Sequence, residues 1–167
     1  MDAILIGFMG SGKTTIGRLL AETLVVPHTD LDQEIVENTG QTIKEIFSNY
    51  GEKRFRELEH KTLLKQLNKN GVLSTGGGTP ISIRNLKILQ ATKIPVILLE
   101  ASTSTILERV GKSEERPLAN QMSVQQLTEL QIKRIPFYQE CASLSINTDD
   151  RSPLDITEQI YKYLLVH

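Results

Sequence analysis

Ala3-Ile4-Leu5-Ile6-Gly7-Phe8-Met9-Gly10-Ser11-Gly12-Lys13-Thr14 is the stretch whose reading decides the fold. An apolar run, taken as a buried strand over residues 3–7, leads into G-x-x-x-x-G-K-[ST], the P-loop pattern. From Lys13 to about Leu24, Ile16, Leu19, Leu20 and Leu24 recur on one helical face. Glycines at 7, 10 and 12 let the backbone curl until successive N–H groups surround anionic oxygens. The helix behind them adds the positive end of its dipole. Gly10, Ser11, Gly12, Lys13, Thr14 and Thr15 are therefore the expected binding set for a nucleoside triphosphate. Within that set Lys13 is placed to bridge the β- and γ-phosphates, and the Thr14 hydroxyl to hold Mg²⁺.

Working outward, a chain of 167 residues fits one domain, 1–167, with a sizeable core. A net charge of −1 gives no basic field to recruit nucleic acid or an anionic membrane, so neither is an expected partner. Cys141 stands alone, which excludes an internal disulfide and a cysteine-based metal site and suits a reducing, cytoplasmic setting. No run approaches membrane-spanning length, and residues 3–6 are too short for a signal peptide.

Strands then alternate with helices. Val25 to Thr29 reads as a short second strand ending in Asp30-Leu31-Asp32, with a helix following to about Gly40. Thr42 and Glu45 form a capping box, Gly51 interrupts, and a charged helix runs from about Glu52 to Asn68 with Phe55, Leu58, Thr62 and Leu63 inward. A strand at 71–75 enters Gly76-Gly77-Gly78, and a helix at about 82–91 leads to a strand at 96–99. A short helix ends near Arg109, and Gly111 to Met122 is polar and aperiodic, the composition of a mobile lid. A helix from Ser123 to about Cys141, a strand at 144–147 and a last amphipathic helix complete the chain. Unbroken apolar strands between helices imply a parallel sheet covered on both faces.

Ligands in such sheets lie beyond the carboxyl ends of the strands. Asp30 and Asp32 end the second strand, either supporting Mg²⁺ and a substrate hydroxyl or simply capping a helix. The glycine triplet marks either a close approach of backbone to another group or a tight turn at Thr79-Pro80. Ser74 or Thr75, with Asp30, is the expected substitute for the aspartate that many P-loop enzymes carry at the end of this strand. Arg56 and Glu59 are i,i+3; their spacing alone favours a solvated surface pair over a fixed anion fork. Arg116 beside Pro117 belongs to a lid or to a surface loop, and Arg134 precedes a proline inside a helical pattern.

The combination of GFMGSGKT, Asp30-Leu31-Asp32, Phe55-Arg56-Glu57-Leu58-Glu59, the glycine triplet, Arg116-Pro117-Leu118 and Arg134-Ile135-Pro136-Phe137-Tyr138 closely resembles the shikimate kinase family over the whole chain. The resemblance implies a five-stranded parallel sheet of order 2-3-1-4-5 and a nucleoside-monophosphate-kinase-like fold with a mobile lid at about 111–122. It also implies a substrate-binding helical region at about 31–60. The implied reaction moves the γ-phosphoryl of ATP to the 3-hydroxyl of shikimate, in aromatic amino-acid and chorismate biosynthesis, in a cytoplasmic monomer. Carried over residue by residue, Lys13, Asp32 and Arg116 are catalytic, and Asp32, Arg56, Gly77, Gly78 and Arg134 bind shikimate. Phe47 and Phe55 line that pocket, and Glu59 orients Arg56. Thr14 holds Mg²⁺ with Asp30 behind it through water, while Arg109, Arg116, Arg151, Ser152 and Pro153 meet ATP. The nearest alternative is a related kinase for gluconate or a nucleoside monophosphate. A nucleotide switch is a poorer match, because no N-K-x-D tetrad is present.

Overall fold

The computed structural model describes residues 1–111 and 123–166, with the side chains of residues 110 and 111 left aside. In chain order the elements are β1 (Ala3–Ile6), α1 (Lys13–Leu24), β2 (His28–Asp30), α2 (Leu31–Thr39) and α3 (Ile43–Leu67). They continue with β3 (Val72–Ser74), a 3-10 turn (Thr79–Ile81), α4 (Ile83–Ala91), β4 (Val96–Glu100) and α5 (Thr103–Gly111). The last three are α6 (Val124–Cys141), β5 (Leu144–Asn147) and α7 (Pro153–Leu164). The sheet runs β2-β3-β1-β4-β5 with every pair parallel, as the family resemblance implies.

Alternation along the strands divides the core in two. Ile4 and Ile6 of β1 join Leu73 and Leu98 on one face, against Leu63 of α3, Leu86 of α4 and Leu127 and Tyr138 of α6. Ala3 and Leu5 join Val72, Ile97 and Leu99 on the other, against Ile16 and Leu20 of α1 and Ile156 and Ile160 of α7. A smaller cluster of Ile35, Ile46 and Phe55 ties α2 to the two halves of α3. All five strands therefore end on the same side, and the P-loop, Asp30-Leu31-Asp32 and the glycine triplet emerge side by side there.

Several local expectations hold in detail. Thr42 and Glu45 exchange both capping-box bonds, and Gly51 breaks the helical backbone of α3 at φ 76°. Cys141 is buried at the end of α6, as a small core residue. The second strand is displaced, however. Val25 ends α1 in the left-handed conformation (φ 56°) and is 90% exposed, while the ladder to β3 begins only at His28. Val25 N–H donates to Glu22 O and Val26 N–H to Ala21 O, so these residues close a helix rather than open a strand.

A β-branched side chain is costly in the left-handed region, by about 1–2 kcal/mol. Glycine removes that cost but loses about 0.5–1 kcal/mol in chain entropy. Val25→Gly is expected to stabilise the protein by about 0.5–1 kcal/mol, read from the urea midpoint. A lower midpoint would show that Val25 is unstrained.

Candidate active site

The P-loop is shaped by three left-handed glycines, with φ of 139° at Gly7, 78° at Gly10 and 99° at Gly12. A Cβ on Gly7 would collide with the Leu99 carbonyl, so the loop can cross the end of β4 only there as glycine. The Lys13 ammonium is buried inside the loop and donates to the carbonyls of Gly7 (2.9 Å) and Phe8 (2.8 Å). Gly12 caps α1 without a side-chain bond, and the first turn carries no acidic residue. By contrast, Asp30, Thr42, Ser123 and Ser152 cap α2, α3, α6 and α7 through their side chains. The N–H groups at the start of α1 thus remain available to an anion. Ser11 lies in the loop with its hydroxyl buried and unpaired among the described residues, and Thr15 is exposed on the first turn.

Asp30 takes both roles left open by its position. Its Oδ1 accepts the backbone N–H groups of Asp32 (3.1 Å) and Gln33 (3.4 Å), capping α2, while its Oδ2 accepts the Thr14 hydroxyl (3.0 Å). A Thr14 hydroxyl that donates to Asp30 keeps its oxygen lone pairs for a cation. No group of three His, Cys, Asp or Glu side chains among the described residues could cage a metal. One hydroxyl with an aspartate behind it fits Mg²⁺, which keeps waters and takes its remaining oxygens from phosphates.

Ser74 and Thr75, the hydroxyls at the end of β3, are bonded within the sheet. The Ser74 hydroxyl donates to Lys13 O (2.9 Å) and meets His28 Nε2 (2.9 Å), and the Thr75 hydroxyl donates to Leu5 O (3.0 Å). Both hydroxyls brace the strand ends, because β3 is buried throughout and its polar groups need partners inside the sheet.

The glycine triplet explains itself once side chains are placed. A Cβ at Gly76 would stand 2.8 Å from Asp32 Oδ1, and one at Gly78 would stand 2.6 Å and 2.8 Å from the two terminal nitrogens of Arg56. At Gly77 the same position lies 3.3 Å from Met9 N of the P-loop and 3.6 Å from Arg134 Nη1. Gly77 O accepts from Arg134 Nη1 (3.4 Å) and from the Tyr138 hydroxyl (2.6 Å). Three bare backbone units thus carry one carboxylate and two guanidinium groups. The triplet also makes the tight turn, with Thr79 N–H donating to Gly76 O and Ile81 N–H to Gly78 O.

Arg56 donates to Glu59 Oε2 (2.9 Å) and, from its other edge, to Glu52 Oε1 (3.3 Å). Glu59 is only 1% exposed, so the pair is an anchored fork and not the solvated pair its spacing favours. The Arg56 guanidinium lies 5.2 Å from the Phe55 ring centre, and Phe55 meets Phe47 at 4.6 Å. Arg134 lies 5.6 Å from the ring centre of Phe8 in the P-loop. Tyr138, buried one turn beyond Arg134, has its hydroxyl pushed up to about 12 by burial.

Asp32 sits at the centre of these groups. Burial raises its carboxyl to about 6, helped by the charges of Asp30 and Glu59 and opposed by Lys13 and Arg56. Its Oδ1 is buried with no hydrogen-bond partner among the described residues. On the opposite side of the P-loop, Arg109 donates to Gly10 O (3.3 Å), Thr148 Oγ1 (3.0 Å) and Thr148 O (2.8 Å). Arg151 instead folds back on α7, to Gln159 Oε1 (2.7 Å), with Ser152 as its N-cap and Pro153 as its first residue. Arg116 lies outside the described residues. Thr148, Thr79 and Asn85 carry no site signal in their spacing, whereas Tyr138 does as the tyrosine of Arg-x-Pro-x-Tyr.

Residues 9–165 match the family model described as shikimate kinase. The chain belongs to the shikimate kinase family. A shikimate kinase of Limosilactobacillus fermentum is 44% identical over all of this chain and 97% of its own length. One from Enterococcus faecalis is 44% identical over 96% of each chain. The solved shikimate kinase from Acinetobacter baumannii superposes with a TM-score of 0.90 at 35% identity, covering 98% of this chain and 92% of its own. The protein is accordingly a kinase of the shikimate kinase family, with ATP as co-substrate.

Because Asp32 holds its proton more tightly folded (about 6) than unfolded (3.8), protonation favours the native state. Its contribution is most favourable below pH 3.8 and is lost as pH rises through 6. Asp32→Asn is therefore expected to stabilise the protein at pH 8 by up to about 3 kcal/mol, shrinking towards pH 4, by urea unfolding. Equal stability of the two proteins at pH 8 would contradict the buried, charged aspartate.

Proposed function

We propose that the protein transfers the γ-phosphoryl group of ATP to the 3-hydroxyl of shikimate, giving shikimate 3-phosphate and ADP. The observation that carries this reading is the convergence of Asp32, Arg56 and Arg134 on the glycine triplet beside the P-loop. Shikimate offers one carboxylate and three ring hydroxyls, which suits two guanidinium groups and one aspartate. The Acinetobacter baumannii relative was solved in complex with shikimate, which supports the same substrate class here. Gluconate also offers a carboxylate and hydroxyls, so the family match, rather than this donor set alone, favours shikimate over it.

In this reading Arg56 and Arg134 hold the substrate carboxylate, and the Phe47–Phe55 pair walls the ring. Asp32, ionised at neutral pH with its carboxyl at about 6, orients the 3-hydroxyl and accepts its proton as the oxygen bonds to the γ-phosphorus. The bond from that phosphorus to the bridging oxygen of ADP breaks. Lys13, the N–H groups of the P-loop and α1, and Arg116 neutralise the phosphoryl charge. Thr14, with Asp30 behind it, would hold Mg²⁺, which supplies charge neutralisation on the phosphates when bound. Arg109 braces the loop beside the nucleotide, and Arg151, Ser152 and Pro153 form the neighbouring wall.

A coupled ADP-release assay with shikimate, gluconate and nucleoside monophosphates tests the reading. Wild type is expected to turn over shikimate at least about a hundred-fold better in kcat/KM than any other compound. Arg134→Lys keeps the charge but loses the two-pronged geometry, so it should raise the shikimate KM about ten-fold or more with ATP KM little changed. Preference for another acceptor would refute the substrate; an unchanged shikimate KM would remove Arg134 from the site.

A further inference from the structure

The Glu59 carboxylate behind Arg56 is enclosed by groups that none of the motifs includes. Thr79, fully buried and first after the glycine triplet, donates its hydroxyl to Glu59 Oε1 (2.8 Å). Asn85, fully buried on α4, donates its amide to Glu59 Oε2 (3.4 Å) and to Thr79 O (3.1 Å). The Asn85 carbonyl oxygen faces His60 Nδ1 at 2.8 Å, next in sequence to Glu59. With its amide nitrogen donating, Asn85 Oδ1 is the acceptor, so the proton of this contact belongs to His60 Nδ1. The chain of bonds leads from α4 through the 3-10 turn to α3 and ends on Arg56.

We infer that Thr79 and Asn85 are positioning residues for the substrate-carboxylate clamp, acting through Glu59 on Arg56. A buried carboxylate takes as many donors as it can reach. With Thr79 on Oε1 and Asn85 sharing Oε2, Glu59 engages Arg56 through a single Nη1 bond. The guanidinium then lies over Gly78, with its other edge meeting the exposed Glu52 carboxylate (3.3 Å). Without the Thr79 hydroxyl, Oε1 is left buried and undersatisfied, and Arg56, already bonded to Oε2, is a strong donor on the same carboxylate. Arg56 would turn to close on both carboxylate oxygens and leave the orientation a substrate carboxylate needs. The turn that places Gly78 beneath Arg56 therefore also delivers the donor that keeps Arg56 there.

This inference rests on the proposed acceptor only for its kinetic readout. Thr79→Val preserves shape and removes the hydroxyl, whereas Thr79→Ser keeps it. The valine variant is expected to raise the shikimate KM about five- to ten-fold with ATP KM within about two-fold, and serine to restore it. A direct readout needs no substrate. The Arg56 side-chain Nε–H signal, assigned in nitrogen-15 NMR spectra, should keep its position and slow exchange in wild type and Thr79→Ser and lose both in Thr79→Val. An Arg56 signal unchanged by valine, or a serine variant no better than valine, would overturn the inference. Wild type that fails to phosphorylate shikimate would refute the acceptor instead, and the Arg56 signal would still decide the role of Thr79.

Discussion

The three glycines at 76–78 are bare where Asp32, the P-loop backbone and Arg56 come closest to them. That crowding links the substrate side of the protein to its phosphate side. Asp32 comes from the start of α2, Arg56 from α3 and Arg134 from α6, elements on different parts of the sheet. All three groups lie against the triplet, and a Cβ placed on Gly77 would stand 3.3 Å from Met9 N of the P-loop. A side chain at Gly76 or Gly78 has to move Asp32 or Arg56, and one at Gly77 crowds the P-loop backbone at Met9. The entropy lost by ordering three glycines is the cost of bringing charged side chains directly against main chain.

The charge balance follows from the same crowding. Burial first, and then the charges of Asp30 and Glu59, raise the Asp32 carboxyl to about 6 against the opposing pull of Lys13 and Arg56. Such a group is ionised at neutral pH yet takes up a proton readily, which suits a partner for a hydroxyl about to become an ether oxygen of a phosphate ester. The surrounding groups are held by hydrogen bonds. Tyr138 and Arg134 share Gly77 O, and Thr79 and Asn85 hold Glu59. Stability and the proposed function diverge here, since the arrangement proposed for the chemistry keeps a buried aspartate charged.

Much of this was legible in the chain itself, for local reasons. The P-loop, the capping box at Thr42 and Glu45, the break at Gly51 and the parallel α/β class depend on neighbours in sequence, and each is found where its residues stand. The start of β2 was misplaced because Val25 and Val26 have the composition of a strand, while the C-terminal bonds of α1 claim them first. The Arg56–Glu59 pair looked superficial because spacing says nothing of Thr79 or Asn85, which lie 20 and 26 positions from Glu59 and bury it. Ser74 and Thr75 drew attention by their place at a strand end, but their hydroxyls serve buried carbonyls. The triplet's ambiguity was real, since the same three residues make the turn and receive the side chains.

The most direct measurement replaces Gly78 by alanine. Its φ of −97° is open to any residue, so the backbone permits the change, and the atoms nearest the new methyl belong to the end of the Arg56 side chain. Gly78→Ala is therefore expected to unfold within about 1 kcal/mol of wild type, to keep its ATP KM, and to raise the shikimate KM at least about ten-fold. A Gly78→Ala enzyme with wild-type shikimate KM would contradict the claim that the triplet is bare to make room for Arg56.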